Sequence, residues 1–478
     1  TGPFGCFTVG GNAIGTNPYF QPRVGFAWNP GGGKTVIRAG YGLVADFNFL
    51  NAITNQRSLP PLIANPTIDS AALFTGPNSF ANLIAGSALI QAQALQQIGQ
   101  FPSFVNYGDV NPVIDPSLKN PQVHSWSLGV EHELPGAVVL KVSYIGTKSN
   151  FLQRARQINL STNRPRPASS PADEAARQTE FVRYFQTLTG NATTPAINRI
   201  DPRFNIINYL DNSANSNYHS LQIFGTRAFR NGYSFNASYT YSKSIDDVSD
   251  QLTALPGDST IIQNPENTRE NRAVSIFDLK HRVTVTHVYE LPFGRNLPNG
   301  FLRRLVHGYG FSGISTWRSG FPVSFIAGGR GTGANAINNI SLVTTAGLIR
   351  PNASGPFDFN PRPAGSQGSP SGVVNQGLSN ISAYAAQLGL SQPLLGNFGN
   401  VGRNTHRLND QVNFDWNIYK NTVITERVRL QLRCEMYNVF NNVSFEGVVN
   451  NISSPQFGQY NTTAQGARVL QLGASLTF

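Results

Sequence analysis

Cysteine, methionine and charge are all scarce in this sequence of 478 residues. The two cysteines, Cys6 and Cys434, set no disulfide framework and form no Cys-x-x-Cys metal knuckle, so they leave the redox compartment open. Charged residues make up 13%, about half the usual share, and the scarcity of charged helix formers argues against a helical protein. No uninterrupted apolar run approaches the roughly 20 residues a helix needs to cross hydrocarbon, so a membrane role requires strands. Basic residues outnumber acidic ones, 36 to 25 for a net charge of +11, but they are scattered. With no basic run and no recognisable motif, no nucleic-acid partner is expected. The chain starts Thr1-Gly2-Pro3 without initiator Met, basic n-region or apolar h-region, so a secretory signal is expected to have been removed or to lie upstream.

Glycine (46), proline (30), phenylalanine (31) and tyrosine (16) are plentiful. The strongest signal is period-two alternation over segments of about ten residues, as when one sheet face meets lipid and the other polar contents. Between 233 and 242, Tyr233, Phe235, Ala237, Tyr239 and Tyr241 alternate with Ser234, Asn236, Ser238, Thr240 and Ser242. Between 428 and 436, Val428, Leu430, Leu432, Cys434 and Met436 alternate with Arg429, Gln431, Arg433 and Glu435. The last ten residues repeat the pattern and end on Phe478. Similar runs occupy 23–28, 36–43, 123–133, 138–145, 218–229, 281–289, 309–318 and 414–420, several with Trp or Tyr near an end, as in an interfacial aromatic girdle.

Connections alternate between short and long, the asymmetry of outer-membrane barrels with tight periplasmic turns and extended extracellular loops. Short ones are 29–33, 134–136, Asn231-Gly232 and 421–426. Asn231-Gly232 is the pair favoured in a type I′ hairpin. Long ones are 47–120, 148–216, 243–277, 326–412 and 441–466, with an amphipathic helix considered at 82–98. If 321–325 extends the run at 309–318, the count is about eleven strands. Bacterial single-chain barrels use even numbers, so the fold expected is an all-β, antiparallel transmembrane β-barrel in incomplete form, about half of a 22-stranded one. Residues 1–478 are read as its C-terminal portion.

Several stretches also resemble a known family. PRVGFAW (22–28) precedes GGGKTVIRAGYG (31–42), and NYHSLQ (217–222) leads to NGYSFNASYTYSKSIDD (231–247). FDLKHRVTVTHVYELPFG (277–294), SGISTWRSGFP (312–322), GNVGRN (399–404) and ITERVRLQLRCEMYNVFNNVSF (424–445) follow. Jointly these resemble, over nearly the whole chain, the C-terminal half of the barrel in Oar-like TonB-dependent receptors, a group that often carries an N-terminal carboxypeptidase-regulatory-like domain. The resemblance implies a closed barrel, an internal plug and a short box that recruits TonB to drive uptake. Plug, box, signal peptide and first half-barrel are not within these residues, so coupling to TonB is expected through a region outside them.

Motifs for other chemistries fail on spacing. Gly31-Gly32-Gly33-Lys34-Thr35 resembles a phosphate loop, but Trp28 stands where the first Gly belongs, and a hairpin turn is the better reading. Gly329, Gly331 and Gly333 have no strand–helix unit to serve. The seven histidines come without His-Glu-x-x-His or Gly-x-Ser-x-Gly, and strand neighbours such as His124 and Ser125, or His219 and Ser220, face opposite ways. No enzymatic activity, cofactor or metal is therefore expected. Cys434, between Leu432 and Met436, reads as a small lipid-facing residue.

Charges on the polar phase are better candidates. Arg23, Arg38, Lys141, Arg282, Asp415, Arg429, Arg433 and Glu435 are expected to face the lumen, since a lipid-facing charge near the midplane costs about 2–4 kcal/mol. The preferred reading pairs them with the plug and with neighbouring strands; the alternative is a ligand path. In and beside the long connections, Tyr209, Tyr218, Arg269, Arg272 and Phe357 are candidates for holding an extracellular ligand, a glycan or a peptide. Leu476 and Phe478 are read as a C-terminal signal for the outer-membrane assembly machinery, besides forming an ordinary last strand. The leading expectation is TonB-dependent uptake across the outer membrane. A structural or adhesive outer-membrane barrel is the second, and a secreted soluble β-sandwich the weakest.

Overall fold

The computed structural model describes residues 20–46, 110–115, 117–189, 198–202, 204, 207–249, 262–328, 349–361, 373–376 and 379–478. Cys6 and the helix considered at 82–98 lie outside them. Eleven strands form one meander, each hydrogen-bonded antiparallel to the next. They are β1 (Arg23–Trp28), β2 (Thr35–Ala45), β3 (Gln122–Leu134), β4 (Val138–Gln157), β5 (Ile207–Arg230) and β6 (Tyr233–Asp246). Then come β7 (His281–Glu290), β8 (Tyr309–Arg318), β9 (Gln411–Val423), β10 (Arg429–Tyr437) and β11 (Val469–Thr477). β1 and β11 are the edges, and they are not paired with each other.

One end of the sheet carries the tight turns. Asn231 and Gly232 have φ of 55° and 82°, the two positive values a type I′ hairpin requires, and they join β5 to β6 directly. Gly136 (φ 86°) and Ala137 (φ 61°) turn β3 into β4. Between β7 and β8 the turn is longer and includes a short helix, α3 (Phe301–Val306). All long connections leave from the opposite end.

Two strands are much longer than alternation predicts. β4 has 20 residues and β5 has 24, whereas a membrane-crossing strand needs about 9–11. Their outer extensions therefore stand well beyond a span and pack against protein. There the register shifts at Ser149/Leu152 and Leu152/Arg154, which breaks the alternation that made the inner halves readable. A parallel segment, Val110–Ile114, lies beside the extension of β5, with Ile114 and Leu118 buried against Ala155 and Leu210. Tyr209 and Tyr218, expected in or beside a loop, are both within β5.

The segment 321–325 does not extend β8, contrary to the expectation. β8 ends at Arg318, and Pro322–Val323 pairs with His406–Arg407 in a separate small ladder. The chain turns away at Gly320, where the carbonyl of Leu408 lies so close that no Cβ fits.

Among the described residues, the largest cluster of buried apolar side chains lies in the long connections, not in the sheet. Phe325, Ile349, Phe359, Ile381, Tyr384, Leu390 and Ile452 are among its buried members, drawn from the β8–β9 and β10–β11 connections. The β4–β5 connection joins this cap through α1 (Pro171–Ala176) and α2 (Gln178–Thr189). Phe181 and Tyr184 pack on Leu395, whose N–H donates to Glu174 Oε1 at 2.7 Å.

Candidate functional site

Residues directly opposite in an antiparallel ladder share a face, so the register assigns every strand residue to one side. From Arg23↔Gly42 and Arg38↔Gly129 through Glu131↔Lys141 to Gln222↔Thr240, one face runs continuously. It continues through Thr240↔Arg282 and Ile314↔Asp415 to Asn417↔Glu435 and Arg433↔Gly473. Arg429 lies on the same face, opposite Thr477. All eight charges expected to face one way thus lie on one side, the polar face.

Their local chemistry differs. Arg23 lies over Gly42 and Arg433 over Gly473, so these two glycines leave room for the arginine side chains on the sheet surface, and Arg38 is opposite Gly129. Asp415 accepts from Asn413 Nδ2 and from the Asn438 N–H, both at 2.8 Å. Arg433 approaches Glu435 at 3.7 Å. Arg23, Arg38, Lys141, Arg282 and Arg429 have no ion pair among the described residues. On this face the side-chain oxygens of Ser143, Ser220, Asn413 and Asn417 are buried and have no hydrogen-bond partner among the described residues.

Above the polar face, three stretches converge on a buried charged network. Arg403 donates from Nε to the Asn271 carbonyl at 3.0 Å, from Nη1 to Ser249 Oγ at 2.9 Å, and from Nη2 to the Asp246 carboxylate. Arg407 pairs with Asp278, and Arg272 with Asp247 at 3.0 Å. Asn404, held at φ 55°, donates to the Val274 carbonyl at 2.8 Å. The β8–β9 connection is thereby fastened to the outer end of β6 and to the β6–β7 connection. Arg164 and Glu266, 3.1 Å apart, tie in the β4–β5 connection.

The expected ligand residues are placed unevenly. Arg272 is taken up by Asp247, and Phe357 stacks on His406 with ring centroids 4.3 Å apart, packed against the cap's core. Arg269 is exposed, in the short helical turn 268–271. Tyr209, beyond the span, lies 5.6 Å beneath the Arg156 guanidinium, and burial, followed by the neighbouring Asp115 carboxylate, pushes its hydroxyl up to about 12. Burial acts to raise Asp115, yet the hydroxyl and N–H of Ser117 hold it below the ordinary carboxylate value. Tyr218 is on the polar face, opposite Ser244. The five do not form one cluster.

The family described as the outer membrane beta barrel domain matches residues 9–471. The chain belongs to this family. The domain is therefore an outer-membrane one, with its apolar face toward lipid and its long connections outside. Comparison with curated protein sequences gives no match. Among solved structures, the outer membrane transporter YddB from Escherichia coli is similar at 10% identity and a TM-score of 0.41, over 93% of this chain and 38% of that one. The ferripyoverdine receptor of the outer membrane of Pseudomonas aeruginosa is similar at 9% identity and a TM-score of 0.35, over 96% and 32%. The ferric citrate transporter FecA is similar at 8% identity and a TM-score of 0.36, over 95% and 38%. The chain thus spans less than two fifths of the length of these proteins.

Reading the sequence for ligand residues missed Arg403, Arg407, Asp246 and Asp278, the hubs of the cap. A signal was present: these four lie within GNVGRN (399–404), SIDD (244–247) and FDLK (277–280), or three residues beyond.

Proposed function

We propose that this domain is barrel from an Oar-like TonB-dependent receptor that imports a glycan or peptide across the outer membrane. The observation that carries the reading is the polar face. Eight charges from six strands line one side of the sheet, and a closed barrel would enclose them as its lumen. Five of these charges lack ion partners, and four buried oxygens on the same face lack hydrogen bonds, among the described residues. Buried polar groups are normally satisfied, so this surface suits a complementary polar filling such as a plug. The plug would connect to TonB, while the fastened cap would offer Arg269 and neighbouring loop surface to ligand. Leu476, on the apolar face opposite Leu430, and the exposed Phe478 would present the last strand to the outer-membrane assembly machinery.

The test is accumulation of fluorescently labelled oligosaccharides and oligopeptides in the periplasm of cells making the full-length protein. Uptake of one class that is lost on deleting either this protein or TonB supports the proposal. Surface binding with no TonB-dependent accumulation of either class overturns it in favour of an adhesive role.

A further inference from the structure

The apolar face changes character at its outer rim. Three hairpins carry the same diagonal pair there. Tyr41 Oη and His124 Nδ1 are 2.8 Å apart, Tyr144 Oη and His219 Nδ1 2.7 Å, and Tyr239 Oη and His281 Nδ1 2.9 Å. In each pair the tyrosine is on an even-numbered strand and the histidine on the next. On the fourth hairpin Trp317 Nε1 donates to Asp410 at 3.2 Å. Trp126 lies beside His219, centroids 6.2 Å apart, and Trp317 stacks on His281 at 5.8 Å. Tyrosine and tryptophan gather at such boundaries because one end of each is apolar and the other wet.

Two lysines join this rim on the same face. Lys148 stands directly opposite His124, and Lys243 directly opposite His219. Neither is ion-paired among the described residues. No acid of the strands can serve them. Glu131, Glu133, Asp246, Glu290, Asp415 and Glu435 all lie on the polar face by register, and Asp211, in the outer extension, is taken by Arg154 and Arg156.

The imidazoles add directional donors. With the tyrosine hydroxyl as donor to Nδ1, the ring carries a proton on Nε2, and that nitrogen has no partner among the described residues in His124 or His219. A lysine ammonium beside an N–H donor, repeated on adjacent hairpins at the edge of the lipid belt, is chemistry that suits phosphate. On this face the surrounding medium is lipid, so the counter-charge must come from a headgroup.

We propose that the outer rim of the apolar face binds the phosphate of an outer-leaflet glycolipid, with Lys148 and Lys243 neutralising its charge and His124 and His219 donating hydrogen bonds. The site lies outside the barrel wall and is independent of the uptake reading, requiring only that the long connections face outward.

Full-length protein purified in mild detergent and reconstituted in nanodiscs with lipid A provides the test, read by native mass spectrometry of retained lipid. Wild type is expected to retain lipid A, and the K148Q/K243Q variant at least tenfold less, while K148R/K243R restores retention. Heat-modified gel mobility checks that each variant is folded. Equal retention by wild type and the folded K148Q/K243Q variant would overturn the proposal, as would equal retention of dephosphorylated lipid A. Displacement by inorganic phosphate at the same concentration would also overturn it, because the site would then hold a free anion.

Discussion

The guanidinium of Arg403, near the end of the β8–β9 connection, is buried against the carboxylate of Asp246 at the outer end of β6, the two side chains 2% and 6% exposed. Removing one member of such a pair leaves an unpaired charge out of water, at a cost of about 3–5 kcal/mol. Asp246→Ala or Arg403→Ala is therefore expected to loosen the cap. Hydrogen exchange should rise steeply in peptides covering 244–249 and 399–408 and stay unchanged in β3 and β4. The Asp246→Leu, Arg403→Met pair should cost less than either alanine variant, because neither charge is then stranded.

Trp126 lies flat across the strand at Gly146, where no Cβ can fit beneath the indole. Gly146→Ala is expected to displace the ring and destabilise the domain by about 1–3 kcal/mol, the usual range for overpacking. Denaturant unfolding in detergent, followed by tryptophan fluorescence, checks this. Gly225→Ala is the control, since its nearest neighbour there is a Phe235 ring carbon at 3.8 Å.

Strong acid should weaken the β4–β5 connection through Asp173. The Arg166 side chain, with the Ser169 N–H, holds the Asp173 carboxyl down at about 2. A carboxyl depressed in the folded state stabilises it above the ordinary value of 3.8, and that contribution is lost as pH falls toward 2. In a carbon-13 carboxyl titration, the resonance missing from Asp173→Asn should have its midpoint near pH 2 in wild type. In Arg166→Leu the midpoint should move up.

The sheet was legible because alternation survives wherever one face meets lipid and the other does not. Residues 233–242 show this most clearly, and the eleven strands follow the expected runs to within a few residues at their inner ends. The outer half of β4 was not legible: Gln153, Arg154 and Ala155 are consecutive and all buried, so polarity no longer reports the face. Phe151, at φ 58°, falls at the register shift. The cap was hidden for another reason. Its core and its Arg403–Asp246 pair join residues 157 apart through irregular loops, where no period links sequence to side. The Tyr–His pairs are cross-strand diagonals, visible only once the register is known.

The most direct test of the two-faced sheet uses neighbouring residues of β3. Leu128, mid-strand and opposite Tyr144, lies on the apolar face, whereas Ser127, opposite Ile145, lies on the polar one. The full-length protein is folded into lipid bilayers and its unfolding free energy measured for Leu128→Arg and Ser127→Arg. Leu128→Arg is expected to cost about 2–4 kcal/mol, the price of a lipid-facing arginine near the midplane, and Ser127→Arg much less. Equal costs, or a larger loss for Ser127→Arg, would contradict the assignment of lipid to one face and polar contents to the other.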